Sequence, residues 1–187
     1  GITLFDTADI YGEPGGSEAG SVLDGVRVEP WQLVGELDEG FAIGLLGAAL
    51  GRIYNTARSV GLSRWAIEQS VEYAKQRQAF GKSLTGFQVT RHKLADMASR
   101  IAAARALTGE TLVRVLRNEP PNVLAGLASM AKNVATDMCS FVCDQAVQLH
   151  GGYGYMRETL VERLYRDARL YPIGGGTREI MNEVIAK

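Results

Sequence analysis

The strongest constraint on the fold is the spacing of apolar residues, which recur every three or four positions through three long segments. The first segment covers residues 41–78 and keeps this helical spacing over many turns. The second starts after the run AFGKSLTG and ends before Pro120 and Pro121, which cannot continue a helix. The third runs from these prolines to Gly151 and Gly152, a pair typical of a helix end. The pattern therefore predicts three long helices.

The turns between these segments predict the remaining elements. Thr85 and Gln88 stand three residues apart, as in a capping box, and are expected to start the second long helix. A shorter charged helix is predicted over residues 159–169, and a last helix from Thr177 to the end of the chain. Long helices joined by compact turns pack side by side in opposite directions. We therefore predict an all-α fold, an antiparallel helical bundle.

Composition and charge exclude several classes of protein. The formal net charge of the 187 residues is −1, which indicates neither a nucleic-acid partner nor a membrane surface. No apolar run reaches the roughly eighteen residues of a membrane-spanning helix. The two cysteines, Cys139 and Cys143, are expected to be small buried residues in a reducing compartment, which favours a cytoplasmic location. Neither His92 nor His150 is close to them in sequence, so we expect no metal site.

The N-terminal segment 1–27, GITLFDTADIYGEPGGSEAGSVLDGVR, differs in character from the rest and predicts a strand, a loop and a helix. It resembles the second strand and following loop of aldo-keto reductases, in which Asp6 and Tyr11 match catalytic residues. A complete reductase barrel needs about 250 residues, so the resemblance implies no reductase activity. We interpret the segment as an irregular or strand-like N-terminal appendage without a function of its own, from a fusion, a gene rearrangement or an arbitrary junction.

Three motifs follow one another later in the chain: YAKQRQAFGKSLTGFQVTRHKLADMASRI, DQAVQLHGGYGYMRETLVERLYRDARL and IGGGTREIM. Together with the lead-in QLVGELDEGFAIGLLGAALGRI, they resemble the carboxy-terminal domain of the acyl-CoA dehydrogenase family over residues 26–187. The resemblance implies that residues 28–187 form an antiparallel four-helix bundle. In the family this bundle forms the core of a tetramer and contacts the flavin of a neighbouring subunit.

The resemblance also implies a function. Members of the family use FAD to remove a proton and a hydride from the alpha and beta carbons of an acyl-CoA thioester, which leaves an enoyl thioester. The electrons then pass to an electron-transfer flavoprotein. The implied partners are therefore an acyl-CoA substrate, that flavoprotein, and either further copies of this chain in a dimer or tetramer or a catalytic subunit in a hetero-oligomer.

The first flavin-contacting residues that the resemblance implies lie around the AFG turn. Arg77 would pair with the pyrophosphate through its forked guanidinium, Phe80 would pack beside the cofactor, and Gln88 would approach the adenine side. Simpler readings exist, because Arg77 would also favour the dipole at a helix C-terminus and Gln88 could merely close its capping box. Spacing alone does not decide between these readings.

The other implied contacts lie near two glycine clusters. Gln148, Gly151 and Gly152 would touch the adenosine half of the cofactor from a partner subunit, since glycine permits close approach of the backbone. Thr177 and Glu179 would meet the flavin at the start of the last helix, where an N-terminus suits a phosphate. The simpler alternative is that the first glycine pair only ends a helix. The charged residues 158–169 are expected to form a solvated or intersubunit ion-pair face.

The proton acceptor is the point at which this chain departs from the family. Abstracting an alpha proton calls for a carboxylate, which in relatives stands at one of two positions. These positions are Gly175 and Gly51 here, and Arg52 follows the second as an arginine expected near the substrate. Glu179 lies one helical turn beyond Gly175, but the family uses the polar residue there to bind cofactor. The alternatives are a dehydrogenase with a divergent base, a non-catalytic partner of an active subunit, and an orphaned helical bundle that oligomerises without cofactor.

Overall fold

The computed structural model describes residue 27, residues 29–36 and residues 40–187. The predicted N-terminal appendage, with Asp6 and Tyr11, lies outside the described residues except for residue 27. Both the boundary after this segment and its resemblance to aldo-keto reductases therefore stay predictions.

The chain divides into two compact units, Gly1–Ile43 and Gly44–Lys187. In the described part of the first unit, Pro30–Gln32 forms a single 3-10 turn. The backbone amide of Glu29 donates to the side-chain oxygen of Gln32 at 2.7 Å and closes this turn. Every site discussed below belongs to the second unit.

Five α-helices make up most of the described chain. They are α1 (Gly40–Gln76), α2 (Gln88–Leu116), α3 (Pro121–His150), α4 (Leu160–Ala168) and α5 (Arg178–Ala186). The predicted set of three long and two short helices is thus confirmed over these residues. The second and third helices are joined by a short connection, so they run in opposite directions side by side, as the bundle prediction requires.

The turns follow from local sequence preferences. After α2 ends, Asn118 adopts φ +54°, a left-handed conformation that asparagine tolerates better than most residues. The next helix starts with Pro121, whose fixed φ suits the first helical position. It ends at His150 because Gly151 takes φ +59° and breaks the helical path.

A small hairpin between α1 and α2 was not predicted from the sequence. Its strands are β1 (Gln78–Ala79) and β2 (Lys82–Ser83), which pair antiparallel around a turn. The predicted capping box is wrong, because Thr85 lies in a 3-10 turn and shares a hydrogen bond of 2.8 Å with the Ser83 hydroxyl. The residue that precedes α2 is Phe87, and it makes no side-chain cap. The helix starts at Gln88 itself, so Gln88 is its first residue and not the third residue after a cap at Thr85.

Helix α3 lies at the centre of the unit and packs against α2, α4 and α5. Small side chains line its buried face at helical spacing, which lets the neighbouring helices approach closely. These are Ala135, Cys139, Cys143 and Ala146. Larger core side chains come from α3 and from its neighbours, namely Met138 and Val142 of α3, Val60 of α1, Met97 and Ile101 of α2, and Val161 and Leu164 of α4.

The two cysteines are buried and free, as predicted. A hydrogen bond with Cys139 and burial together raise the pKa of the Cys143 thiol. A thiol that stays protonated in an apolar core is neither a nucleophile nor a metal ligand. Among the described residues, no group of three potential metal ligands comes together, and no helix is both long and apolar enough to cross a membrane.

Candidate functional site

The predicted site residues fall into two groups that lie far apart along α1. Arg52 lies in the first half of this helix, and Arg77 directly follows its last residue. At the rise of an α-helix, their separation along the axis is about 37 Å, more than the diameter of a small domain. The two groups are therefore separate surfaces of one chain.

The first group surrounds a cleft of about 520 Å³ where α1 and α3 end, called here the helix-end cleft. Arg77, Gly151 and Gly152 line it, so the structure brings these three predicted residues together. The complete lining is Tyr73, Arg77, Leu84, Leu149, His150, Gly151, Gly152, Tyr153 and Met156. Arg77 is exposed at this position, and its guanidinium is accessible to an anion.

The other residues predicted for this group lie at its edges. Gln148 is exposed in the last turn of α3, and its carbonyl accepts from the amide of Gly151. Gln88 is exposed as the first residue of α2. Phe80 sits at the hairpin turn with φ +49° and is 97% exposed, and its ring meets Phe87 edge to face at 6.3 Å. None of the three lines the cleft itself.

Two aromatic side chains that the sequence reasoning missed build the floor of the cleft. Tyr73 stacks on His150 with ring centroids 4.2 Å apart, and its hydroxyl donates to the His150 carbonyl at 3.2 Å. The His150 ring Nδ1 bonds to the Ala146 carbonyl at 2.8 Å, and burial lowers the pKa of His150. The sequence holds only a weak indication that Tyr73 belongs to the cleft: it precedes Arg77 by four residues, the spacing that places two residues on the same side of a helix.

The second group surrounds residues 172–176, called here the glycine loop. Gly175 and Gly176 have φ values of +74° and +107°, which residues other than glycine rarely adopt. The loop carbonyls accept hydrogen bonds from side chains of two helices. Arg52 Nε donates to Gly175 O at 3.2 Å, Asn55 Nδ2 to Gly174 O at 2.9 Å, and Lys132 Nζ to Gly176 O at 2.5 Å and Pro172 O at 3.3 Å.

The glycine loop thus brings Arg52 and Gly175 into direct contact. A Cβ atom at Gly175 would lie 3.9 Å from Arg52 Cγ, an ordinary van der Waals distance. Since Gly51 precedes Arg52 on α1, the two positions at which the family resemblance would place a base are close together in the fold. Burial lowers the pKa of Arg52, although an arginine stays charged at neutral pH.

Thr177 and Glu179 start helix α5 immediately after the loop. Thr177 is the N-cap, and its hydroxyl accepts from the Ile180 amide at 3.5 Å, as the predicted start of this helix requires. Hydrogen bonds from its own backbone amide and from Thr177 hold the pKa of Glu179 below its usual range. A general base in a dry site needs the opposite shift, so Glu179 does not have the environment of a proton acceptor.

Helix α5 is fixed against α3 by polar contacts along one side. Arg178 forms a two-pronged ion pair with Asp137, and Asn133 Nδ2 donates to Asn182 Oδ1 at 2.9 Å. These contacts, together with Lys132 below the loop, join the start of α5 to the middle of α3.

The family model for the acyl-CoA dehydrogenase C-terminal domain matches residues 38–187. The chain belongs to the acyl-CoA dehydrogenase family. Probable acyl-CoA dehydrogenase YngJ of Bacillus subtilis is 40% identical over 187 residues, which is all of this chain and 48% of that protein. Caffeyl-CoA reductase-Etf complex subunit CarC of Acetobacterium woodii is 33% identical over all of this chain and 48% of its own length. The chain therefore spans about half the length of these relatives, and their alignments include the N-terminal segment 1–27.

Solved acyl-CoA dehydrogenase structures have the same helical domain. A probable acyl-CoA dehydrogenase from Mycobacterium abscessus matches with a TM-score of 0.81 and 41% identity, over 85% of this chain and 42% of that one. An acyl-CoA dehydrogenase complexed with FAD, from Bacillus anthracis, matches with a TM-score of 0.77 and 30% identity, over 83% of this chain and 30% of that one. The predicted C-terminal bundle of the acyl-CoA dehydrogenase family is thereby confirmed.

Proposed function

We propose that this chain is the C-terminal part of an FAD-dependent acyl-CoA dehydrogenase, which desaturates an acyl-CoA thioester between its alpha and beta carbons. The observation that carries the proposal is the helix-end cleft, because it gathers Arg77, Gly151 and Gly152 from segments that are far apart in the sequence. These are residues to which the family resemblance gives a role with the dinucleotide. The match with a family member complexed with FAD supports the same cofactor.

The residues of the helix-end cleft fit a dinucleotide. Arg77 offers a planar, permanently charged fork that matches the oxygens of a pyrophosphate. No atom lies within 4 Å of where a Cβ would stand at Gly151 or Gly152, so a ligand can approach the backbone at both. When bound, FAD supplies the acceptor for the hydride, and the residues of this chain bind and orient it.

We propose further that one dinucleotide lies between two copies of the chain. The helix-end cleft and the start of α5 at Thr177 lie near opposite ends of the unit, because Arg77 and Arg52 are about 37 Å apart along α1. A cofactor seated in the cleft of one copy would therefore meet the Thr177 and Glu179 of another. This arrangement requires a dimer or a tetramer, with Gln148 at the edge of the shared site.

The substrate and the electron acceptor follow from family membership. We propose acyl-CoA as the substrate, near Arg52 and the glycine loop, and an electron-transfer flavoprotein as the partner. The resemblance to a subunit of a caffeyl-CoA reductase-Etf complex supports that partner. The free, buried cysteines support a cytoplasmic location. The alternatives of a non-catalytic subunit and an orphaned bundle are not favoured, since the matching relatives include acyl-CoA dehydrogenases and a subunit of a caffeyl-CoA reductase-Etf complex.

A complementation experiment tests the shared site. Arg77→Ala removes the cleft contact and Thr177→Ala removes the contact at the start of α5, so each pure variant should retain little flavin absorbance after excess FAD is removed. In a mixed oligomer, the intact cleft of one variant can meet the intact α5 start of the other. We expect random mixing in equal amounts to restore about a quarter of the bound flavin, because half of the clefts are intact and half of these meet an intact α5 start. The proposal would be contradicted if neither the mixture nor the wild-type chain retained FAD.

The missing carboxylate gives a test of the chemistry at the loop. Gly175→Glu places a carboxyl group beside Arg52, and general base catalysis contributes about 10²–10⁴ in rate. We expect acyl-CoA to bleach the flavin of this variant at least tenfold faster than that of wild type. Gly175→Gln is the matched control, because it has the same size and backbone cost without a base. Equal rates for the two variants would show that the loop is remote from the reacting carbons.

A further inference from the structure

Four of the five carbonyls of the glycine loop accept hydrogen bonds from side chains of α1 and α3. Lys132 bonds to the carbonyls of Pro172 and Gly176, four residues apart, and so bridges the loop from end to end. Between these two ends, Asn55 donates to the Gly174 carbonyl and Arg52 to the Gly175 carbonyl. The loop itself has three consecutive glycines and no side chain there with which to pack.

Glycine loses more conformational freedom on folding than any other residue, so three in a row form a single conformation only if something outside the loop imposes it. The loop's own backbone bonds are confined to its beginning, where the amides of Ile173 and Gly174 donate to the Leu170 carbonyl at 3.0 and 2.9 Å. The rest of the loop is held by side chains of α1 and α3.

Lys132 is the unusual member of this set because it is fully buried, with 0% exposure. Lysine is almost never fully buried unless its charge is compensated, and burial without partners is costly. Its two carbonyl acceptors provide that compensation. Burial and, after it, the charge of Arg52 lower the pKa of Lys132. The ion pairs of the described residues do not include Lys132.

We infer that Lys132 is a positioning residue, which fixes the glycine loop so that Arg52, Gly175 and Thr177 stand in one arrangement towards substrate and flavin. That Lys132 fixes the loop rests on the hydrogen bonds alone. That the fixed loop serves substrate and flavin rests on the proposed function. Asn55 assists in the same role through Gly174. Lys132 and Asn55 both act through the loop and do not touch the reacting atoms.

Hydrogen exchange tests the structural part without cofactor. Lys132→Met keeps the length of the side chain and removes the ammonium, and Lys75→Met does the same at an exposed lysine paired with Glu72 on α1. We expect the exchange of the Gly174 amide to accelerate at least tenfold in the first variant and to stay unchanged in the second. The amides of the central part of α3 should keep their protection in both.

A second variant covers the case in which Lys132→Met fails to fold. Asn55→Ala removes one loop contact without touching a buried charge, and we expect it to accelerate Gly174 exchange several-fold. In Lys132→Arg the retained charge should restore part of the protection. Unchanged Gly174 exchange in both Asn55→Ala and a folded Lys132→Met would overturn the inference, whether or not the chain binds FAD.

The functional part has its own readout in the flavin-loaded protein. Lys132→Met should change the shape of the flavin visible band and lower the rate of flavin reduction by acyl-CoA at least tenfold, with little change in the acyl-CoA concentration needed for half the maximal rate. Lys75→Met should change none of these. A loosened loop without any change in the flavin band or in the reduction rate would overturn the link to chemistry. If wild type holds no flavin, the proposed function fails while the exchange experiment still decides the role of Lys132.

Discussion

The two ends of the helical unit use glycine for different physical reasons. In the glycine loop, Gly175 and Gly176 are needed for their backbone angles, and side chains from other helices hold the resulting conformation. Next to the helix-end cleft, in the 3-10 turn Gly151–Tyr155, Gly154 is needed because the chain passes close to α3. A Cβ there would lie 2.4 Å from the Val147 carbonyl oxygen. Angle and space are thus separate demands, and they respond differently to the same substitution.

This difference has a consequence for function. The loop depends on distant donors such as Lys132, so its geometry is set by tertiary packing and is sensitive to changes outside the site. The cleft is built mainly from the ends of α1 and α3, with Tyr73 stacked on His150 between them. It should therefore keep its shape as long as these two helices stay packed together.

The largest effect on stability is expected at Gly154, in the 3-10 turn next to the cleft. Gly154→Ala forces a methyl group against backbone atoms of α3 that cannot move aside, and such overpacking costs about 3 kcal/mol of unfolding free energy. Gly152→Ala is the control, since no atom lies within 4 Å of its Cβ position, and it should cost less than about 0.5 kcal/mol. Urea unfolding measures both. Equal costs would mean that space is not what this turn demands.

A smaller effect is expected in the glycine loop. Gly176→Ala puts a side chain on a residue with φ +107°, which costs about 1–2 kcal/mol, while the clash with the end of the flexible Met181 side chain can relax. Gly174→Ala, at a residue without a positive φ, should be nearly neutral. If thermal unfolding showed the two variants to be equally stable, the loop would not be held in the conformation described here.

The pH dependence of stability should report on the cleft. Burial lowers the pKa of His150 in the folded state, so the unfolded chain takes up a proton near pH 6.5 while the folded chain does not. The contribution of His150 to the free energy of unfolding is therefore fully present above the unfolded pKa. It decreases as pH falls below about 6.5, by at most about 1.4 kcal/mol per pH unit.

His150→Gln should remove most of this slope between pH 7 and pH 5.5 in urea unfolding experiments. His92→Gln, at an exposed position on α2, is the matched control and should keep it. A wild-type slope that survives in the first variant would place its origin elsewhere in the unit.

The smallest effect is expected at the ion pair between α3 and α5. Arg178 and Asp137 are both about half exposed, so solvent screens their attraction, and Arg178→Ala should cost less than about 1 kcal/mol. The loss should shrink further in 1 M salt. If the cost were several times larger than this, the start of α5 would depend on this pair more than on Lys132 and the buried Met181.

Local patterns were sufficient for the helices because their causes are local. The predicted end of the third helix at Gly151 is correct, since a glycine with positive φ ends a helix wherever it stands. The predicted capping box at Thr85 and Gln88 is wrong because the same residues also suit a turn after a hairpin, and spacing does not separate these uses. The family resemblance identified Arg77 and both glycines of the cleft, which periodicity alone would have left as ordinary helix ends.

The rest of the site depends on contacts between distant parts of the chain. A lysine within a helix suggests a solvent-exposed side chain, and Lys132 is buried only because its carbonyl partners lie 40 and 44 residues further along. Tyr73 meets His150 across 77 residues in the same way. No window of sequence contains both partners, so neither contact could be predicted from a local pattern.

The continuity of α1 sets a rule for how the family can vary in length. Each residue of an α-helix turns the chain by about 100°, and no break interrupts the 37 residues of this helix. One residue inserted between Arg52 and Arg77 would swing one end of the protein by that angle relative to the other. We therefore expect insertions and deletions to occur in the connections between helices, and the number of residues between Arg52 and Arg77 to stay constant.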